Sequence, residues 1–456
     1  MINPPKNVRF ITTKRVIAVA AIGALAATLT ACAPGASDSQ SASAPTEALT
    51  GVGDGDITLT LTEAAAEVPY FEALGAAFTK KYPNVTVEVS GQDFQTLVNN
   101  APRLISGTNV PDLIRLASFG KVVEDKLVTN LDGYAEAYGW DEWPQAQFDS
   151  TRSNDKGTQR GTGSLYGAGP GFGLTGIYVN RDLAEQLGSD GAPATLEELE
   201  SLMEKAKGAG KTPMIISGPA ATLSNATQNL LIDYADSTET VQAWNYNEPG
   251  ASIDDENTVK AAAKLQEWAD AGYFPTDVSS LQQADAVSEF TAGDALFYVS
   301  GNWDAPAIDK AASGSFGFIA FPALEEGGTT AAMSASDLQV IPTKAAHPRE
   351  AAAFLDFVQT DPEARQITVD LGGYVPGGPA DGSTPTTAEG SAVGDTVATF
   401  ADLSSKDQLV EFMLNATGSM AASTLIPQTE LLVANKTTPE EFSAKVQSDY
   451  VSQLSN

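Results

Sequence analysis

The chain has 456 residues, 26 Lys+Arg against 58 Asp+Glu, and 42% hydrophobic residues. It is too long for one compact core and long enough for two or three domains. Its acidic balance lacks the clustered cations that displace counterions from polyanions, which excludes nucleic acid as a partner. One cysteine, Cys32, and one histidine, His347, exclude a disulfide framework, and a His-rich metal site or a Ser-His-Asp device would rest on a single residue. Carboxylate-pair chemistry of the glycosidase kind stays open, because two Asp or Glu side chains are all it requires.

Lys6, Arg9, Lys14 and Arg15 precede an apolar run from Val16 to Ala31 with no acidic residue in the segment. The run falls short of the ~20 residues that a spanning helix needs, so residues 1–31 read as a secretory signal. The lone cysteine follows directly on Leu29-Thr30-Ala31. That stretch resembles the lipobox of bacterial lipoproteins, which implies cleavage before Cys32 and a diacylglycerol on its thiol. The protein is then expected outside the cytoplasm, lipid-anchored to the cell membrane. The segment carries four of the 26 basic residues, so the processed chain is more acidic still. Residues 33–56 are small, polar and punctuated by Pro and Gly, a composition expected of a flexible spacer that begins at the lipidated Cys32.

Folded structure is expected from Ile57, where Ile57-Thr58-Leu59-Thr60-Leu61-Thr62 alternates as a strand. Phe71, Leu74 and Phe78 then share one helical face that ends before Pro83. Val85, Val87 and Val89 form a second strand, a helix covers about Phe94–Ile105, and Pro111–Leu116 gives a third strand. The alternation implies a mainly parallel sheet with helices on its faces. Residues 150–164 read as a surface loop or hairpin. Gly167, Gly169, Gly171 and Gly173 permit close backbone approach, which suits a crossover between lobes. Thr195-Leu196-Glu197-Glu198 is a capping box, Met214-Ile215-Ile216 a short buried strand, and about Asn257–Ala271 a helix. His347 stands where a cap precedes Pro348 at a helix start. Thr438, Pro439 and Glu441 open the last helix, with Phe442, Val446 and Tyr450 facing inward.

From Ile57 to the end, these segments together resemble the family-1, maltodextrin-binding type of extracellular solute-binding proteins of ABC importers. The resemblance rests on the opening strand, on Phe78 and Tyr82-Pro83 before Val85, and on Pro111-Asp112-Leu113. Tyr178-Val179-Asn180-Arg181-Asp182-Leu183 and Thr195-Leu196-Glu197-Glu198-Leu199 carry it further, followed by Phe290-Thr291-Ala292-Gly293-Asp294-Ala295-Leu296-Phe297 and Gly301-Asn302-Trp303. Val340-Ile341-Pro342, Phe354-Leu355-Asp356-Phe357 and Asp361-Pro362-Glu363-Ala364 complete it.

The resemblance implies an α/β fold of the two-lobe, type II periplasmic-binding-protein class, with a ligand cleft between lobes joined by a hinge. Lobe 1 is expected at 57–172 plus 334–375 and lobe 2 at 173–333 plus 376–456. Trp303 matches the position whose aromatic ring commonly stacks on a sugar, with a core tryptophan as the competing reading. Asn302 and Asp304 flank it. Glu63, Gln92, Asp93 and Ser118 follow the lobe-one strands, and Phe172, Asp337 and Tyr374 lie at the expected crossings. The implied activity is capture of a saccharide, expected to be an oligosaccharide, and its delivery to ABC permease subunits by a monomer that needs no cofactor or metal and catalyses nothing. Two alternatives remain: a secreted carbohydrate-active enzyme with a carboxylate pair, and the same fold holding a polyol, a phosphorylated polyol or a peptide.

Overall fold

A computed structural model describes residues 49–455 apart from 120, 190, 219–221 and 312–313. The signal segment, Cys32 and most of the spacer lie outside the described residues.

Among the described residues the chain forms two large sheets, each with its own hydrophobic core, and one two-stranded sheet. In the first, β1 (Ile57–Ala64) pairs in parallel with β2 (Val85–Gln92) and with β3 (Leu113–Arg115). Leu59 and Leu61 of β1 point into the core, as the alternation requires. They meet Phe71, Leu74 and Phe78 of the Val68–Lys81 helix, whose polar face is left to solvent. Asp112 explains the Pro-Asp-Leu entry to β3. Its buried carboxylate accepts hydrogen bonds from Thr60 N and Thr60 Oγ1 at 2.9 Å and from His347 N at 2.8 Å, tying β1 to a distant helix start. His347 does occupy the cap before the Pro348–Thr360 helix, but its side chain makes no capping bond.

A small hairpin follows, β4 (Arg152–Ser153) and β5 (Ser164–Leu165). The chain then enters the second sheet through β6 (Gly171–Asn180), a long and almost wholly buried strand. Around it stand β7 (Thr212–Ile215), β8 (Ala295–Gly301), β9 (Phe316–Ile319) and β10 (Ala332–Ser336). Of these, β8, β9 and β10 pair antiparallel with β6, and β7 runs parallel to β8. The mainly parallel arrangement expected from the first alternation therefore holds for β1, β2 and β3 only. The chain returns to the first sheet as β11 (Gln339–Val340), antiparallel to β3. It crosses again to β12 (Val375–Pro376), which pairs with β6, and ends the second sheet with β13 (Leu409–Val410) beside β10.

Three segments thus pass between the sheets, around Gly169, Asp337 and Val375. Expectation placed the return to lobe 1 at 334. However, Ser334, Ala335 and Ser336 pair with Leu174, Gly173 and Phe172 in the second sheet, so the return begins at Asp337. Phe172 likewise sits inside β6, one residue past the start of that sheet.

The helix starts follow their caps. Thr195 Oγ1 accepts from Glu198 N, and Glu198 reaches back to Ala194 N. At the last helix, Pro439–Ser455, Thr438 and Glu441 bond reciprocally as a full capping box. The spacer ends earlier than composition indicates. Arg349 Nε donates to Thr50 O at 2.8 Å, Gly53 N donates to Glu350 Oε1 at 3.0 Å, and Leu49 and Val52 pack on the first core. Residues 49–55 are bound to the body. Among the described residues no helix is long and apolar enough to cross a membrane.

Candidate functional site

A cavity of about 290 Å³ opens where the ends of β1 and β3 face the ends of β8 and β10, beside the crossings. Ligand sites in open α/β folds occupy this position, past the carboxyl ends of strands. Five of the expected residues line it: Asp93, Trp303, Asp304, Asp337 and Tyr374. Glu67, Tyr70, Phe94, Arg115 and Phe412, none of them among the expected site residues, line it too.

Trp303 is half-buried. Strand β8 ends at Gly301, where a Cβ would come within 2.2 Å of the indole, so only glycine lets the ring fold back over its own strand end. The ring stands 6.3 Å from that of Phe412 and leans on the first sheet's core. Phe94, 38% exposed, opens the following helix over the Arg115 guanidinium at 5.9 Å. Aromatic faces on both sides of the cavity offer apolar contact area.

A polar network lines the first-lobe side, beneath the Phe94 ring. Arg115 Nη1 donates to Asp337 Oδ1, and its Nε is 3.9 Å from Glu67 Oε2. Tyr374 OH donates to Glu67 Oε1 at 2.5 Å. Burial, with the Glu67 charge adding to it, raises the Tyr374 hydroxyl well above the usual tyrosine range, so it remains a donor. Asp337 Oδ2, Glu67 Oε2 and Arg115 Nε have no hydrogen-bond partner within the protein. Buried groups of this kind cost free energy until something meets them.

The other expected residues are structural or peripheral. Asn302, fully buried, accepts from Leu174 N and donates to Phe172 O, both at 3.0 Å, and so locks β8 to β6. Glu63 is also fully buried, behind the lining. It accepts from Gln339 Nε2 at 2.9 Å, and burial, reinforced by the Glu67 charge, pushes its carboxyl up. Asp304 lines the cavity but is already held by Tyr298 OH (2.7 Å), Ser300 Oγ (2.6 Å) and Gln283 Nε2 (2.9 Å). Its carboxyl is raised by burial, against the pull of those bonds. Phe172 packs on Phe400 at 5.7 Å with the rings tilted, away from the lining, and Gln92 accepts from Asn100 Nδ2 at 3.3 Å. Ser118 is half-buried outside the lining. Asp93 both lines the cavity and caps its helix, accepting from Thr96 N at 3.0 Å. No group of three His, Cys, Asp or Glu among the described residues is spaced to hold a metal ion.

The profile of the bacterial extracellular solute-binding proteins matches residues 73–392. The chain belongs to that family. Solved structures agree on the fold of this solute-binding protein. One was determined in work on xylan utilisation by the thermophilic bacterium Caldanaerobius polysaccharolyticus, and has 21% identity and a TM-score of 0.72 over 86% of this chain and 99% of its own. The GacH receptor of Streptomyces glaucescens, studied with acarbose, has 20% identity and a TM-score of 0.70 over 88% and 99%. RafE in complex with raffinose has 19% identity and a TM-score of 0.69 over 87% and 99%. A comparison with curated protein sequences returns no match. The two-lobe solute-binding fold places the cavity between lobes, where hinge closure can enclose a ligand.

Proposed function

We propose that this solute-binding protein captures a saccharide between its lobes and hands it unchanged to an ABC permease. The supporting observation is the lining itself, which combines the rings of Trp303, Phe94 and Phe412 with Arg115, Glu67 and Asp337, some of whose polar atoms are still unmet. A sugar offers both complements: an apolar C–H face for the rings and hydroxyls that donate to carboxylates and accept from a guanidinium. The raffinose and acarbose studied with structural neighbours fit the same reading. Binding without turnover is favoured over glycoside hydrolysis by the family match, which is to solute-binding proteins.

In this reading the lobes are 57–170 plus 337–374 and 171–336 plus 375–456. Cys32 carries the lipid that tethers a monomer to the outer face of the cell membrane. Isothermal titration of the soluble body with maltose, raffinose and xylotriose, followed by chromatography of each sugar, tests the reading. One sugar should bind with one-to-one stoichiometry and return intact. Steady release of shorter sugars would transfer the protein to the enzyme class, and no binding to any sugar would send the search to polyols. Cys32→Ala should move the protein from the membrane fraction to the medium with sugar affinity unchanged, and continued membrane retention would end the anchor proposal.

A further inference from the structure

The hairpin over residues 152–165 is rooted in the first lobe. Leu131 N donates to Leu165 O at 2.7 Å, Asp132 Oδ1 accepts from Leu165 N at 2.9 Å, and Leu165 and Phe148 belong to the first core. Its tip, however, reaches the second lobe. Arg160 N donates to Tyr246 O at 3.0 Å, and the next residue, Gly161, lies beneath the Tyr246 ring at φ +72°, where a Cβ would fall 2.5 Å from that ring. The Arg160 side chain is 5% exposed and donates to three acceptors: Ser150 O at 2.7 Å, Asn415 O at 3.1 Å and Glu411 Oε2 at 3.2 Å.

Glu411, equally buried, uses its other oxygen to accept from Phe412 N at 3.1 Å and Asn415 Nδ2 at 2.9 Å. Phe412, Leu414 and Asn415 are wall residues of the cavity. A guanidinium fork anchored to the first lobe by Ser150 therefore grips both ends of a wall loop belonging to the second. A planar guanidinium, with its donors on separate nitrogens in a fixed fork, reaches all three acceptors at once.

We propose that Arg160 is a positioning residue for the binding site, holding the Phe412–Asn415 wall in its ligand-ready arrangement from the first lobe. The exchange readout below stands independently of the saccharide reading, and the affinity readout rests on it.

Removing Arg160 alone leaves Glu411 as an unpaired buried charge and would destabilise the fold for that reason. The informative variant is Arg160→Met combined with Glu411→Gln. It keeps the apolar stem and the two bonds that residue 411 accepts from the loop, and removes only the grip. Its thermal midpoint should fall less than that of a single Arg160→Met, because no unpaired buried charge is left. Amide hydrogen exchange of the ligand-free protein should accelerate about tenfold at residues 412–416, the size expected for one or two lost hydrogen bonds, and stay unchanged elsewhere. Whichever of maltose, raffinose or xylotriose binds the wild type should bind the double variant about tenfold more weakly.

Unchanged exchange at 412–416 would overturn the proposal, as would acceleration spread evenly over the chain, the mark of a purely structural pair. Wild-type affinity in the double variant would overturn it as well. If the wild type binds none of the three sugars, the saccharide reading fails by itself and exchange at 412–416 still decides the role of Arg160.

Discussion

Trp303 carries the sharpest expectation at the scale of single residues, because its ring is half in the cavity and half against the first core. Trp303→Ala should weaken sugar binding by about 2–4 kcal/mol, the loss seen for truncated anchors, which is a factor on the order of 30 to 1,000 in Kd. Trp140, fully buried, is the control: Trp140→Ala should cost the ligand-free protein ~3–5 kcal/mol. Titration and denaturant melts of both variants separate the roles, and a Trp303→Ala protein that melts like Trp140→Ala but binds normally would assign the indole to the core. Glu63 makes a pH prediction. Its carboxyl is raised by burial first and by the Glu67 charge second, so the folded state holds a proton that the unfolded chain releases near an ordinary glutamate value. Its contribution is fully present below about pH 4.5 and is lost as pH rises through the raised value. Glu63→Gln keeps an acceptor for Gln339 without the charge. The variant should be more stable than wild type at pH 7, with the gap closing toward pH 4, in paired denaturant titrations. A gap that is constant with pH would show that Glu63 does not titrate in that window.

At the scale of elements, the crossings depend on contact distances that admit no side chain. Gly169 passes so close to the second crossing that a Cβ would lie 1.9 Å from Asp337 O, while Ala168 N and Gln339 N bond across the same pair of segments. Gly169→Ala forces the segments apart and should cost about 1–3 kcal/mol of stability, as overpacking does. It should also lower sugar affinity, since Asp337 shifts with its backbone. Gly188→Ala, at a surface turn with nothing within 4 Å of the added methyl but φ +78°, isolates pure backbone strain. Equal affinity in Gly169→Ala and wild type would show that the crossing does not set the position of Asp337. The Thr222–Tyr234 helix illustrates the reverse difficulty. Its polar Thr227, Gln228 and Asn229 are buried beside Leu223, Ala226 and Leu230, with Gln228 accepting from Leu414 N behind the cavity wall, so the exposed polar face that marks an amphipathic helix is missing from its sequence.

For the molecule as a whole, a ligand that binds only the closed, folded form adds stability by mass action, about 2.7 kcal/mol at a hundredfold excess over Kd. Sugar at that excess should raise the thermal midpoint and reduce the radius of gyration in small-angle scattering as the lobes close. A higher midpoint with an unchanged radius would mean that the cleft binds without hinge motion.

The sequence by itself determined the strands and helices with clean periods and caps, from Ile57 through Tyr450. A hydrophobic period, a cap or a proline is a local signal, complete within a few residues. The family resemblance pointed further to Asp93, Trp303, Asp304, Asp337 and Tyr374, all of which line the cavity. Only the tertiary structure decided that Asn302 is a lock between strands, that Glu63 lies behind the lining, and that Glu67, Tyr70, Phe94 and Phe412 complete it. It alone brought Arg160 from a polar loop to Glu411, 251 residues later, where both charges are buried. A side chain's role in such places is set by which distant backbone comes to lie beside it, and no pattern within one segment encodes that distance.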